Sequence, residues 1–264
     1  RSNAPSPHYV TSACQSLCLE THVLSRFDLQ PADRIEIEVW SDQFAARLFA
    51  GDTPAALIEA HTRFCGRMPP LPDWMHQGAV VGMQGGTAAA KRMWNVLREA
   101  NAPIAAFWLQ DWVGARQTSV GSQLWWNWEL DTARYPGWDA FRAELGDEGI
   151  RILSYVNPFL VDVTERKESP HRNLFQEAKE AGYLVHKADG TPYLVQNTSF
   201  SAGMVDLTHP EAWTWLKAIL REQVLDAGAS GWMADFGEAL PFDAQLYDGS
   251  DAAQYHNQYP EAWA

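Results

Sequence analysis

The segment Gly231-Trp232-Met233-Ala234-Asp235-Phe236-Gly237-Glu238 ends a short apolar run on two carboxylates three residues apart. An aspartate after a strand is commonly only a helix cap or a turn former. Here Phe236-Gly237 allows a sharp turn that presents the carboxylate, and Trp232, Met233 and Phe236 are expected to keep it in a water-poor pocket. A carboxylate so placed can attack an anomeric carbon, serve as a general base, or share a metal with Glu238. No histidine cluster accompanies the pair, which leaves the metal reading with little support.

Tryptophan is the second chemical signal. The chain has 13 of them, and Trp108, Trp112, Trp125, Trp126 and Trp128 fall in one stretch. Aromatic faces stack on the apolar faces of sugar rings while neighbouring polar groups bond the hydroxyls, so carbohydrate is the natural ligand. Core packing must claim some of these rings, since alternate tryptophans of an extended "LWWNWELD" would point in opposite directions.

The elements that must position these residues follow two rhythms. Up to about Val39 the chain reads as the tail of a β domain: "THVLSRFDL" suits a short strand, and Ile35 to Trp40 alternates apolar and charged residues as a half-buried strand does. Pro54 to Cys65 has helical spacing, with Ala55, Leu57, Ile58 and His61 within two turns, and "RMPPLPDW" is expected to stop it. Beyond a boundary near Pro69, strands and helices alternate. Strands are expected at "GAVVGM", "IAAFWL", "IRILSYV" and Gly231 to Ala234, with helices at "AAAKRMWNVLREA", around Trp138 to Leu145, at "NLFQEAKEAG" and from Pro210 to Ala227. A hairpin is expected around "HKADGTPYLV".

Four such repeats define an α/β protein with parallel strands, either a doubly wound sheet or the first half of a (β/α)8 TIM-type barrel. The long insertions decide for the barrel. Each follows the C-terminal end of a strand, where barrel enzymes build their sites, and Gln84, Gln110-Asp111, Asn157 and Asp235 all stand at those ends. "GMQGGT" lacks the G-x-G-x-x-G frame of a dinucleotide fold. The expected organisation is the end of a β-sandwich domain over 1–53, a linker helix and Pro-rich connection over 54–70, and the N-terminal half of a catalytic barrel over 71–264.

Composition narrows the partners. With 264 residues, 46% of them hydrophobic, the chain can build a globular core. A formal net charge of -13 offers no attraction to nucleic acid or to anionic membrane, and no apolar run approaches the roughly 20 residues that span a bilayer. Cys14, Cys18 and Cys65 are too few and odd in number for a secreted disulfide framework, so a reducing cytoplasm is expected. The chain opens Arg1-Ser2-Asn3-Ala4 without a methionine, so targeting is not legible from it; a homo-oligomer is left open.

At this point the residues carry a resemblance. "MADFGEALPFDAQLYDGSDAAQYHNQY" resembles the nucleophile segment of glycoside hydrolase family 31, through Asp235, Glu238, Pro241, Asp243, His256, Asn257 and Tyr259. "RMPPLPDWMHQGAVVGMQGGT" and "FWLQDWVGARQTSVG" are similar to one branch of it, the sulfoquinovosidases, which cleave the α-glycosidic bond of plant sulfolipid head groups. The resemblance implies a retaining α-glycosidase that needs no cofactor and no metal, with Asp235 as nucleophile and Asp111 binding sugar hydroxyls. It implies further that Gln84, Gln110, residue 123 and Trp126 read the sulfonate, and that the general acid/base lies on a later part of the barrel, beyond Ala264.

One position departs from the pattern: Gln123 stands where the branch has Arg. A charged hydrogen bond is worth about 1.5–3 kcal/mol, so this change implies a roughly ten- to hundredfold weaker hold on the anion unless Arg116, seven residues earlier, supplies the charge. The alternatives are a neutral-sugar α-glucosidase or α-xylosidase of the same family and a catalytically silent carbohydrate-binding relative.

Overall fold

The computed structural model describes residues 6–166 and 172–264. The chain forms two compact units, divided between Pro70 and Leu71. In the first, β1 (His8–Val10), β2 (Gln15–Leu19) and β5 (Ala46–Ala50) make an antiparallel sheet in the order β1-β2-β5. A separate ribbon pairs β3 (Ser25–Asp28) with β4 (Glu36–Val39), Phe27 opposite Ile37. The ribbon strands are the two expected from the sequence, although β4 is shorter than the alternation suggested: Ile35 and Trp40 lie outside it and are exposed. The three-stranded sheet was not expected, because its buried side is built partly from Ser16 and Cys18, which carry no alternating apolar signal.

Helix α1 (Pro54–Cys65) starts as its sequence requires: the Thr53 side chain accepts from the Ala56 N–H and Pro54 opens the first turn. Its end differs from expectation, since Gly66 at φ +93° terminates it before the prolines are reached.

The second unit begins with β6 (Ala79–Met83), α2 (Gly86–Glu99) and β7 (Ile104–Leu109). A hairpin of β8 (Ala115–Thr118) and β9 (Gly121–Leu124) follows, then α3 (Trp138–Asp147), β10 (Arg151–Val156) and the short β11 (Phe159–Leu160). Next come α4 (Leu174–Ala181), β12 (Leu194–Asn197), β13 (Phe200–Met204) and α5 (Pro210–Leu220), which runs on through a π-helical turn to Leu225. Strand β14 (Trp232–Ala234) and the short helices α6 (Ala252–Tyr255) and α7 (Tyr259–Trp263) complete it.

Strands β6, β7, β10 and β14 form one parallel sheet, with neighbours in the order β14-β10-β7-β6. All four expected strands are present, and their C-terminal ends share one edge because the strands run parallel. Phe107, Leu109, Ile152 and Val156 from the sheet join Phe141 and Leu145 of α3 in a continuous buried core. The expected hairpin at "HKADGTPYLV" is a tight turn closed by the Lys187 N–H on the Thr191 carbonyl at 2.8 Å; the regular ladder next to it, β12 with β13, was not expected. No helix among the described residues is long and apolar enough to cross a membrane.

Candidate active site

Asp235 continues β14 by one residue, its N–H donating to the Val156 carbonyl at 2.9 Å. Phe236 at φ +60° and Gly237 at φ +112° then turn the chain away from the sheet, so the carboxylate stands at the strand end. The Tyr155 hydroxyl donates to Asp235 Oδ2 at 2.7 Å, and the Trp263 indole N–H donates to the Asp235 carbonyl at 3.0 Å. Burial above all pushes the Tyr155 phenol far above its ordinary pKa; the Asn157 amide opposes this, and the hydrogen bond to Asp235 and the charges of Asp235 and Glu238 add to it. Tyr155 therefore stays a donor.

The apolar residues flanking Asp235 are not enclosed by this chain. Trp232, Met233 and Phe236 are all exposed, because β14 has a strand neighbour on one side only. What packs behind the turn is Phe236 edge-on against Trp126, with centroids 5.4 Å apart, and against Phe159 at 6.0 Å. Trp126 is itself buried, stacked on Phe159 at 5.4 Å. The predicted Trp126 thus lies beside the residue that follows Asp235.

The other rim residues gather at the ends of β6 and β7. The Gln84 amide donates to the Gln110 side-chain carbonyl, so these two side chains act as one polar unit. Asp111 is buried. Its Oδ2 accepts from the Gly85 N–H at 2.7 Å and from Arg134 Nε at 2.5 Å, and its Oδ1 accepts from the Tyr135 hydroxyl at 2.5 Å. Burial and then the Asp111 charge push the Tyr135 phenol far up in turn. Asp111 fastens Gly85 and Arg134 to the rim.

Gly86 is what lets this corner close. Its φ is +77°, and a Cβ there would lie 2.1 Å from the Arg134 carbonyl oxygen. Gly86→Ala is expected to cost about 2–4 kcal/mol from backbone strain and overlap together, read as a lowered midpoint of denaturant unfolding. An unchanged midpoint would mean that the corner relaxes freely.

Gln123 lies on β9 and exchanges hydrogen bonds with the β12–β13 turn: it accepts from Ser199 Oγ at 2.5 Å and donates to Thr198 Oγ1 at 3.3 Å. Arg116 is its direct cross-strand neighbour on β8. The guanidinium sits between two rings, 4.3 Å from the Trp125 centroid and 4.1 Å from that of Phe200, and burial lowers its pKa. Its Nε and Nη2 are buried without an acceptor. Among the described residues no hydrogen bond joins Gln123 to the Gln84–Gln110 unit.

The tryptophans divide as core packing dictates. Trp112, Trp126 and Trp128 are buried, with the Trp112 N–H donating to the Tyr155 carbonyl at 2.8 Å, whereas Trp108 and Trp125 are half-buried. Tyr155, Asn157, Arg134 and Tyr135 were not among the expected site residues, though Asn157 had been placed at a strand end. No group of three or more His, Cys, Asp or Glu that could hold a metal ion exists among the described residues.

A parallel sheet carrying its polar groups at the C-terminal strand ends, with an aspartate fixed there beside buried aromatic rings, is the arrangement of a barrel glycosidase. The family model for the TIM-barrel domain of glycosyl hydrolases family 31 matches residues 69–264, and the chain belongs to that family. Within it, the chain is 41% identical to a sulfoquinovosidase of Agrobacterium fabrum and 35% identical to one of Escherichia coli, over 99% and 98% of its length. It spans only 38% and 37% of those relatives. A solved family 31 sulfoquinovosidase from E. rectale, in complex with an aza-sugar inhibitor, superposes with a TM-score of 0.91 at 38% identity, over 99% of this chain and 38% of that one.

Proposed function

We propose that the protein containing this chain is a retaining α-glycosidase acting on α-sulfoquinovosides through a covalent intermediate on Asp235. The observation that carries the reading is the Asp235 carboxylate, held at a strand end by Tyr155 on one oxygen and with no described donor on the other. In the first step Oδ1 bonds to the anomeric carbon while the glycosidic C–O bond breaks. Its electron pair leaves on the aglycone oxygen, which takes a proton from a general acid. We place that acid on a part of the barrel beyond Ala264. Water then attacks the same carbon, the ester bond breaks, and Asp235 is regenerated with the configuration retained.

Gln84, Gln110, Gln123 and Trp126 are the groups proposed to read the sulfonate, with Arg116 as the cation of that hairpin. Asp111 keeps one acceptor position on Oδ1 beyond its Tyr135 bond, and a sugar hydroxyl is the donor proposed for it. The three free cysteines fit a reducing cytoplasm.

The test is the ratio of kcat/KM for an aryl α-sulfoquinovoside against the matching α-glucoside, measured on the full-length protein. A ratio well above one supports the reading. Gln123→Arg should then raise it further, by roughly ten- to a hundredfold, the worth of one charge-assisted hydrogen bond. A ratio below one makes this a neutral-sugar enzyme, and a ratio unmoved by Gln123→Arg removes position 123 from specificity.

A further inference from the structure

We infer that Tyr155 is a positioning residue for Asp235 and that Asn157 fixes the direction of its proton. The inference rests on Asp235 being the nucleophile. Three adjoining hydrogen bonds define the directions. The Phe159 N–H donates to Asn157 Oδ1 at 3.0 Å, which settles which end of that buried amide is the oxygen. Asn157 Nδ2 consequently faces Tyr155 and donates to its hydroxyl oxygen at 3.3 Å. With that donor on the oxygen, the Tyr155 proton points to Asp235 Oδ2, 2.7 Å away.

The ring is held as firmly as the proton. Tyr155 is buried, with Trp108 and Trp128 at 6.3 and 6.2 Å between centroids, and its carbonyl is tied to the Trp112 indole. A donor immobilised in this way acts in both halves of the reaction. In the free enzyme it prevents rotation of the carboxylate, so that one chosen oxygen, Oδ1, meets the substrate. In the glycosyl-enzyme, Oδ2 is the ester carbonyl oxygen, and the same hydrogen bond stabilises the charge that returns to it as Asp235 departs.

Tyr155→Phe deletes the hydroxyl and keeps the ring. In the full-length protein, assayed with the aryl α-glycoside it hydrolyses best, kcat should fall roughly ten- to a hundredfold. KM should fall with it, because glycosyl-enzyme accumulates when its hydrolysis is slowed. Asn157→Ala, which leaves Tyr155 in place, should produce smaller changes of the same sign.

A lower kcat with a raised KM would reduce Tyr155 to a packing residue and overturn the inference, as would two variants with wild-type kcat and KM. Turnover that survives in Asp235→Ala would instead overturn the nucleophile assignment, and the two failures are thereby told apart.

Discussion

Asp235→Ala in the full-length protein is expected to lower kcat/KM for an aryl α-glycoside by roughly 10⁴-fold or more, the scale seen when a group acting directly at the reacting centre is removed. The carboxylate it deletes is the one aimed outward from the end of β14, and no second carboxylate in that segment has its fixed geometry: Glu238 lies beyond a turn of two residues with positive φ. Substitution to Ala also leaves space where the carboxylate stood. Added azide should enter it and restore part of the turnover, giving a glycosyl azide of inverted, β configuration, because a single displacement replaces two. NMR of the product checks this. Retained configuration in the azide product, or undiminished hydrolysis by the variant, would remove Asp235 from the covalent step. A protein inactive in both forms whose sugar affinity survives the substitution would be a binding relative and not an enzyme.

Arg166→Ala is expected to cost about 3–5 kcal/mol of stability, because it strands a buried carboxylate. Arg166 Nη2 meets Asp131 Oδ2 at 2.6 Å with the two side chains 2% and 5% exposed, and Arg166 Nη1 donates to the Val113 carbonyl at 3.1 Å. On its other oxygen Asp131 accepts the N–H groups of Ala133 and Arg134. Gly114 seals the pair from one side: its φ is +83°, and a Cβ there would come 2.3 Å from Asp131 Oδ2. For a unit of this size the loss corresponds to roughly 6–20 °C in Tm. Replacing both partners with apolar residues should recover only part of it, since the turn at Ala133 and Arg134 would still lose its acceptor. A drop in stability below about 0.5 kcal/mol, the ordinary surface value, would mean that water reaches the pair. Arg134 also holds Asp111, so substrate affinity should weaken alongside stability.

The parallel sheet and the place of Asp235 were legible because a strand buried on both faces writes itself as an unbroken apolar run and its rim as the polar residue that follows. "IAAFWL" before Gln110-Asp111 is such a case, and it spans the observed strand. The two hairpins over the insertions were not legible. Their strands carry Arg116, Gln117, Gln123, Gln196 and Asn197, with no regular alternation, and the second turns through Thr198 at φ +39°, a residue type that does not announce a turn. Tyr155 was invisible as a site residue for a different reason: within "IRILSYV" it reads as one more core side chain, and its hydroxyl gains meaning only from β14, about 80 residues later. Asp111 was seen, but its hydrogen-bond partners Arg134 and Tyr135 lie more than 20 residues away with no local pattern linking them to it.

The order of strands across the parallel sheet, β6 then β7 then β10 then β14, is also their order along the chain. On a ribosome this means that each new strand finds its partner already made, at the growing edge, and none has to be inserted between two strands that have paired. Synthesis from β6 to Asp235 takes roughly ten to thirty seconds at ordinary rates. During that interval Tyr155 is laid down well before the carboxylate it holds. A pause in translation after β10 would leave the nascent sheet with its phenol in place and the Asp235 carboxylate still unmade.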